Sequence, residues 1–143
     1  MSKTVRKLLS ANDVGSTGGH QAGILVPKAP EILSFFPALS PKVKNPRLVL
    51  VVREIGNGTR WEFNFIYYNN KFFGGTRNEY RLTGMTSFFR TTDLKEGDEL
   101  LFSKDQNDSI QLQYTRAQEH KVDINEQGVL VLRGGWKIIN DTQ

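Results

Sequence analysis

The chain has 143 residues, 38% of them hydrophobic, and a net charge of +4 from 19 Lys and Arg against 15 Asp and Glu. That length suits one domain spanning 1–143 around one core, and the basic excess permits a polyanionic partner without requiring one. With no cysteine, disulfides, thiolate metal sites and cysteine nucleophiles are excluded. No apolar run approaches the roughly 20 residues of a membrane span, and MSKTVRKLL lacks the apolar centre of a secretion signal; the expectation is a soluble cytoplasmic protein.

Residues 1–9 carry Lys3, Arg6 and Lys7 and predict no element. SANDVGSTGGHQAG, residues 10–23, gathers glycines and short polar groups into the least core-like stretch of the chain. AGILVPK, residues 22–28, is a short apolar run stopped by proline, a strand pattern. In PEILSFFPAL, Pro30 suits the first turn of a helix and Pro37 ends it. SPKVKNPR is a cationic turn containing Lys42 and Lys44. Leu48–Ile55 is a continuous, β-branched run that predicts a buried strand. Gly56–Gly58 signals a hairpin. RWEFNFIYY then alternates, with Trp61, Phe63, Phe65 and Tyr67 on one face and Glu62, Asn64, Ile66 and Tyr68 on the other. NNKFFGG is a turn or bulge, and TRNEYRL is extended. TSFFRTTD predicts a second short helix, LKEGDELLF a turn and a strand. SIQLQYTR and VLVLRGGWKII supply the closing strands. The sum is a mainly β chain of about seven short strands and two short α-helices, an open barrel or pseudobarrel.

Several chemistries can be weighed against this frame. A metal-dependent nuclease needs two or three acidic groups and a nearby cation; Glu62, Asn64 and Lys71 lie near one hairpin and could form such a site, or simply a solvated strand face. Nucleophilic catalysis finds no G-x-S-x-G elbow and only two histidines, of which His120 falls in a polar turn. GSTGGH lacks the spacing of a phosphate-binding loop and follows no strand. A single-strand or RNA binder would stack bases on exposed aromatics; Tyr67, Tyr68, Phe72, Phe73 and Tyr80 cluster near one hairpin, and their alternation points to core packing.

Duplex DNA is the partner that two stretches fit together. In the first, Asn12, Asp13, Ser16, Thr17, His20 and Gln21 mix donors and acceptors of the kind that read base edges, beside glycines that let backbone approach closely. In the second, FGGTRNEYR, the residues Arg77, Asn78, Glu79 and Arg81 crowd beside a double glycine. Arginine forks onto guanine O6 and N7, and a carboxylate accepts from the cytosine amino group. Lys3, Arg6, Lys7, Lys28, Lys42, Lys44 and Lys71 would hold phosphates. A floppy leader and a salt-bridged surface hairpin are the bland readings of the same two stretches.

SANDVGSTGGHQAGILVPK and GGTRNEYRLT resemble the N-terminal effector-DNA-binding domain of EcoRII-type (type IIE) restriction endonucleases. LKEGDELLF also resembles a turn-and-strand signature of the plant B-three-type transcription-factor domain. The resemblance runs from about Lys7 to Ile139. It implies a seven-stranded DNA-binding pseudobarrel with two short helices that grips duplex DNA like a wrench. An N-arm (about 10–21) and a C-arm (about 71–81) would enter the major groove. The implied site is CCWGG, where W is A or T. The implied role is that of a recognition and effector domain without catalysis of its own. It would need no cofactor and no metal, Mg²⁺ serving only a separate cleaving domain of the same full-length protein.

Overall fold

The structure is a computed structural model that describes residues 3–15, 22–117, 129–131 and 135–140. In chain order its strands are β1 (Lys3–Leu8), β2 (Ile24–Val26), β3 (Arg47–Glu54), β4 (Arg60–Tyr68), β5 (Glu79–Thr83), β6 (Glu99–Lys104), β7 (Ile110–Thr115), β8 (Val129–Val131) and β9 (Trp136–Asn140). Helix α1 (Pro30–Leu33) lies between β2 and β3, and α2 (Thr86–Thr92) between β5 and β6. A 3-10 turn (Asn70–Phe73) separates β4 from β5.

The nine strands form one sheet in the order β2-β5-β4-β3-β7-β6-β1-β9-β8. Every pairing is antiparallel except β3 with β7. The mainly β open pseudobarrel with two short helices is the expected class; the described residues hold nine strands rather than seven. One strand the sequence did not announce is β1. Its residues are basic, yet it runs between β6 and β9, with Val5 opposite both Phe102 and Ile138. Inward positions Val5 and Leu9 are apolar, and the third, Lys7, is buried with a partner.

The β3–β4 hairpin shows how side-chain alternation builds the sheet. Leu50 faces Phe63 and Val52 faces Trp61 on the core side; Val49 faces Asn64 and Val51 faces Glu62 on the outer side. The LVLVV run therefore departs from the expectation of a strand buried throughout, since Val49 and Val51 are exposed. An antiparallel pair needs cover on one face only, and among the described residues no layer covers the outer face here. The turn is closed by a buried carboxylate: Glu54 accepts hydrogen bonds from Trp61 Nε1 at 2.8 Å and from Asn57 Nδ2 at 2.9 Å.

Two aromatic plugs fill the barrel. After α1, which begins at Pro30, Phe36 stacks on Phe65 at 5.1 Å and meets Trp136 edge-on at 6.3 Å. At the other plug Phe88 of α2 meets Trp61, Phe63 and Tyr114 edge-on. Full burial of each such ring stabilises the fold by about 2–3 kcal/mol. Across the open side, Trp136 Nε1 of β9 donates to the Leu25 carbonyl of β2 at 3.2 Å, tying one end of the sheet order to the strand next to the other end.

Candidate nucleic-acid interface

The N-arm begins where β1 ends, and its feet are pinned. Ser10 and Asp13 cap each other: Ser10 N–H donates to Asp13 Oδ2 at 2.9 Å, and Asp13 N–H donates to Ser10 Oγ at 3.1 Å. Gly23 N–H donates to the Asp13 carbonyl at 3.0 Å, which brings the far end of the loop back to its start. Gly15 has φ +80°, a left-handed conformation that glycine adopts without strain. The LKEGDELLF turn supports this root from below. Leu9 N–H donates to the Asp98 carbonyl, Gly97 N–H donates to the Leu9 carbonyl, and the Asp98 carboxylate accepts from Lys95 and Ala117 amides.

Three charged residues expected at DNA form ion pairs within the protein. Lys7 Nζ lies 3.0 Å from Asp13 Oδ2, with both side chains under a tenth exposed. Arg6 Nε lies 3.3 Å from Glu99 Oε1, which Lys137 also approaches through Oε2 at 3.7 Å. Lys7 and Asp13 thus hold each other while also lining a cleft shared with Asn12 and Arg81. In the structure that pair holds the root of the arm, and the Arg6–Glu99 pair ties β1 to β6. Of the other expected anchors, Lys28, Lys42, Lys44 and Lys71 are exposed, and Lys3 donates to Ser34 Oγ at 3.2 Å. Asn12 is exposed beside this root; Ser16, Thr17, His20 and Gln21 lie outside the described residues.

The C-arm is built around one asparagine. Asn70 accepts from Gly75 N–H through its carbonyl at 2.6 Å and from Arg77 N–H through its side-chain oxygen at 2.7 Å. Lys71 N–H donates to the Arg77 carbonyl at 2.9 Å. A Cβ on Gly75 would come within 2.7 Å of Asn70 Cγ, so the clamp requires glycine there. Gly74, at φ +94°, turns the chain back.

On this frame Glu79 sits between two guanidinium groups, Arg77 at 2.7 Å and Arg81 at 3.3 Å. Partial burial alone would raise its pKa; the hydrogen bonds and charges of Arg77 and Arg81 outweigh that and hold the carboxyl below its ordinary range. The Arg77 guanidinium also lies over the Tyr68 ring at 3.7 Å, a cation–π contact that fixes its direction. Asn78 Oδ1 accepts from the Tyr67 hydroxyl at 2.8 Å. Tyr67 stacks on Tyr80 at 4.1 Å across β4 and β5, and burial with Tyr67 alongside pushes the Tyr80 phenol up, keeping it protonated.

The sheet register brings the two arms together. β2 follows the N-arm and pairs with β5, setting Leu25 directly opposite Arg81. A cleft of about 610 Å³ lies between them, lined by Asn12, Leu8, Leu25, Arg81 and Trp136 among others. Expected readers from both arms, Asn12 and Arg81, thus line one cleft, with Glu79 and Arg77 continuing along the C-arm. Glu62 and Asn64, weighed as a nuclease site, lie on the outer face of β4, where Glu62 pairs with Arg60 at 2.6 Å. Among the described residues no three His, Asp or Glu side chains gather as metal ligands would.

Sequence reasoning missed the supporting residues: Asn70, Tyr67 and Tyr68 as props, and Asp98 under the N-arm. The aromatic cluster also divides. Tyr67 is buried and Tyr68 and Tyr80 are half-buried, while Phe72 and Phe73 stand in solvent, contrary to the expectation that alternation sends them to the core. They lie in the 3-10 turn, where period-two alternation does not apply.

Comparison with known proteins agrees with this architecture. Escherichia coli type II restriction enzyme EcoRII is 40% identical over 79 residues, 54% of this chain and 19% of that protein, so the match spans about a fifth of that relative. A solved Arabidopsis FUS3–DNA complex superposes with TM-score 0.60 at 22% identity, covering 78% of this chain and 95% of that one. The B3 domain of the restriction endonuclease UbaLAI, solved with cognate DNA, gives TM-score 0.52 at 20% identity over 81% of this chain and 69% of that one. Residues 2–115 match the family described as restriction endonuclease EcoRII, N-terminal, and the chain belongs to that family.

Proposed function

We propose that the chain is a sequence-specific binder of double-stranded DNA that reads base edges between its two arms, with CCWGG as target. The observation that carries this reading is the Arg77–Glu79–Arg81 array on a clamped turn, whose Arg81 lines the same cleft as Asn12. Arginine carries five N–H donors, so pairing with Glu79 leaves several for guanine O6 and N7. The depressed Glu79 carboxyl stays an acceptor suited to the cytosine amino group. G·C pairs flank the central pair of CCWGG, and these are the partners such an array fits. Ser16, Thr17, His20, Gln21 and Asn78 complete the proposed readers; Lys3, Lys28 and Lys71 remain proposed phosphate contacts.

The domain recognises and does not cut. It acts as the effector module of a restriction endonuclease in the prokaryotic cytoplasm, cofactor-free, with Mg²⁺ serving a separate cleaving domain. Family membership through an N-terminal domain and the B3-domain neighbours support this reading.

Fluorescence anisotropy with CCWGG, its single-pair variants and a scrambled duplex, at two salt concentrations, tests it. Wild type binds CCWGG most tightly, and Arg81→Ala weakens that complex by about 5- to 150-fold, the worth of one bidentate base contact. The scrambled duplex changes little. Equal loss on both duplexes makes Arg81 a phosphate contact; no preference among duplexes overturns the reading.

A further inference from the structure

Two phenylalanines in the C-arm turn outward where burial would stabilise them. Phe72 is 63% exposed and Phe73 43%, the former the most exposed of the large apolar side chains among the described residues. Their turn is not slack: Phe72 N–H donates to the Asn69 carbonyl, and Asn70 holds Gly75 and Arg77 on its far side. The rings are therefore displayed by a built turn. They follow Lys71, whose amide is bonded to Arg77, so the apolar tip is continuous with the charged array. Cations on both flanks favour a polyanion as the occupant of this tip over another apolar protein face.

Resting on the DNA reading above, we propose that Phe72 is an apolar reader: its ring packs on the 5-methyl group of a pyrimidine in the groove the C-arm enters, and Phe73 excludes water beside it. The methyl is the apolar feature of a base edge in the major groove, and an aromatic side chain is a fitting partner for it. Thymine carries this methyl, and 5-methylcytosine presents the same group. The contact adds discrimination at a position where arginine and carboxylate have nothing to grip.

The test uses a duplex that the wild-type chain selects from a randomised pool. Each thymine is replaced singly by uracil, which deletes the methyl and keeps every hydrogen-bonding group. In a separate series each cytosine is replaced by 5-methylcytosine. At one position uracil weakens wild-type binding about fourfold, the worth of one buried methyl. Phe72→Ala binds the parent duplex correspondingly less well and no longer distinguishes uracil from thymine there, while Phe72→Leu keeps the distinction. The exposed ring contributes little to folding, so all three proteins melt together. If the difference between proteins arises only in the 5-methylcytosine series, the contact is with that base. If every substitution costs Phe72→Ala what it costs wild type, the methyl contact is refuted and the tip belongs to a protein partner. A loss confined to single-stranded DNA refutes it in favour of base stacking. Failure of the wild type to select any sequence overturns the DNA reading and the contact with it.

Discussion

Replacing Asp13 by alanine separates a reader from a prop. In the structure its carboxylate meets Lys7 Nζ at 3.0 Å with both side chains nearly covered, and also accepts the Ser10 amide. Removing one partner of a buried pair typically costs about 3–5 kcal/mol, because the remaining charge stays out of water. Lys7 still donates to the Leu8 carbonyl at 3.0 Å, which places the expected loss at the lower end, about 3 kcal/mol. For a domain of this size each kcal/mol shifts Tm by roughly 3–5 °C, so Asp13→Ala melts about 10 °C below wild type. Burial shields the pair from salt, so the gap persists between 0.05 and 0.5 M NaCl. The double variant Lys7→Met, Asp13→Ala recovers much of the loss, since no unpaired charge remains. Calorimetry alongside anisotropy decides the matter. A melting point within a degree of wild type, together with lost discrimination among duplexes, would refute this reasoning and return Asp13 to the set of base readers.

Two further predictions concern the C-arm. The Glu79 carboxyl is held low, so whatever the Arg77 and Arg81 pairs add to stability is fully present above the ordinary carboxylate pKa and is lost as pH falls through the depressed folded value. Carboxyl NMR titration gives Glu79 a midpoint below that of an exposed glutamate, and Arg77→Ala raises it; an unshifted midpoint in wild type contradicts the paired geometry. Asn70→Ala frees the Arg77 amide, which then exchanges with solvent at least tenfold faster in hydrogen-exchange NMR, and specific binding weakens with little change in Tm; unchanged exchange at Arg77 means the clamp is dispensable.

The sequence made some of this legible and hid the rest for physical reasons. Strand β4 could be read because its aromatic and polar residues alternate against a one-sided core, and α2 because TSFFRTTD carries its apolar pair at Phe88 and Phe89. The C-arm array was visible as a local crowd of opposite charges. β1 was not, since one inward position holds a lysine whose partner lies six residues on, at the root of a loop. The exposure of Val49 and Val51 depends on what covers the sheet, and Phe72 and Phe73 follow the geometry of a turn rather than a strand, so composition misled at both. The cleft itself arises from β2 pairing with β5, a long-range register that no local pattern encodes.

The two tryptophans stand in usefully different places. Trp136 lines the cleft and donates to the carbonyl of Leu25, Arg81's cross-strand neighbour, whereas Trp61 hydrogen-bonds Glu54 at the opposite end of β4, seven residues or about 23 Å from Tyr68. The molecule therefore carries an optical probe at the proposed binding cleft: in a Trp61→Phe variant the remaining indole is the one that lines it, and its emission reports what enters there.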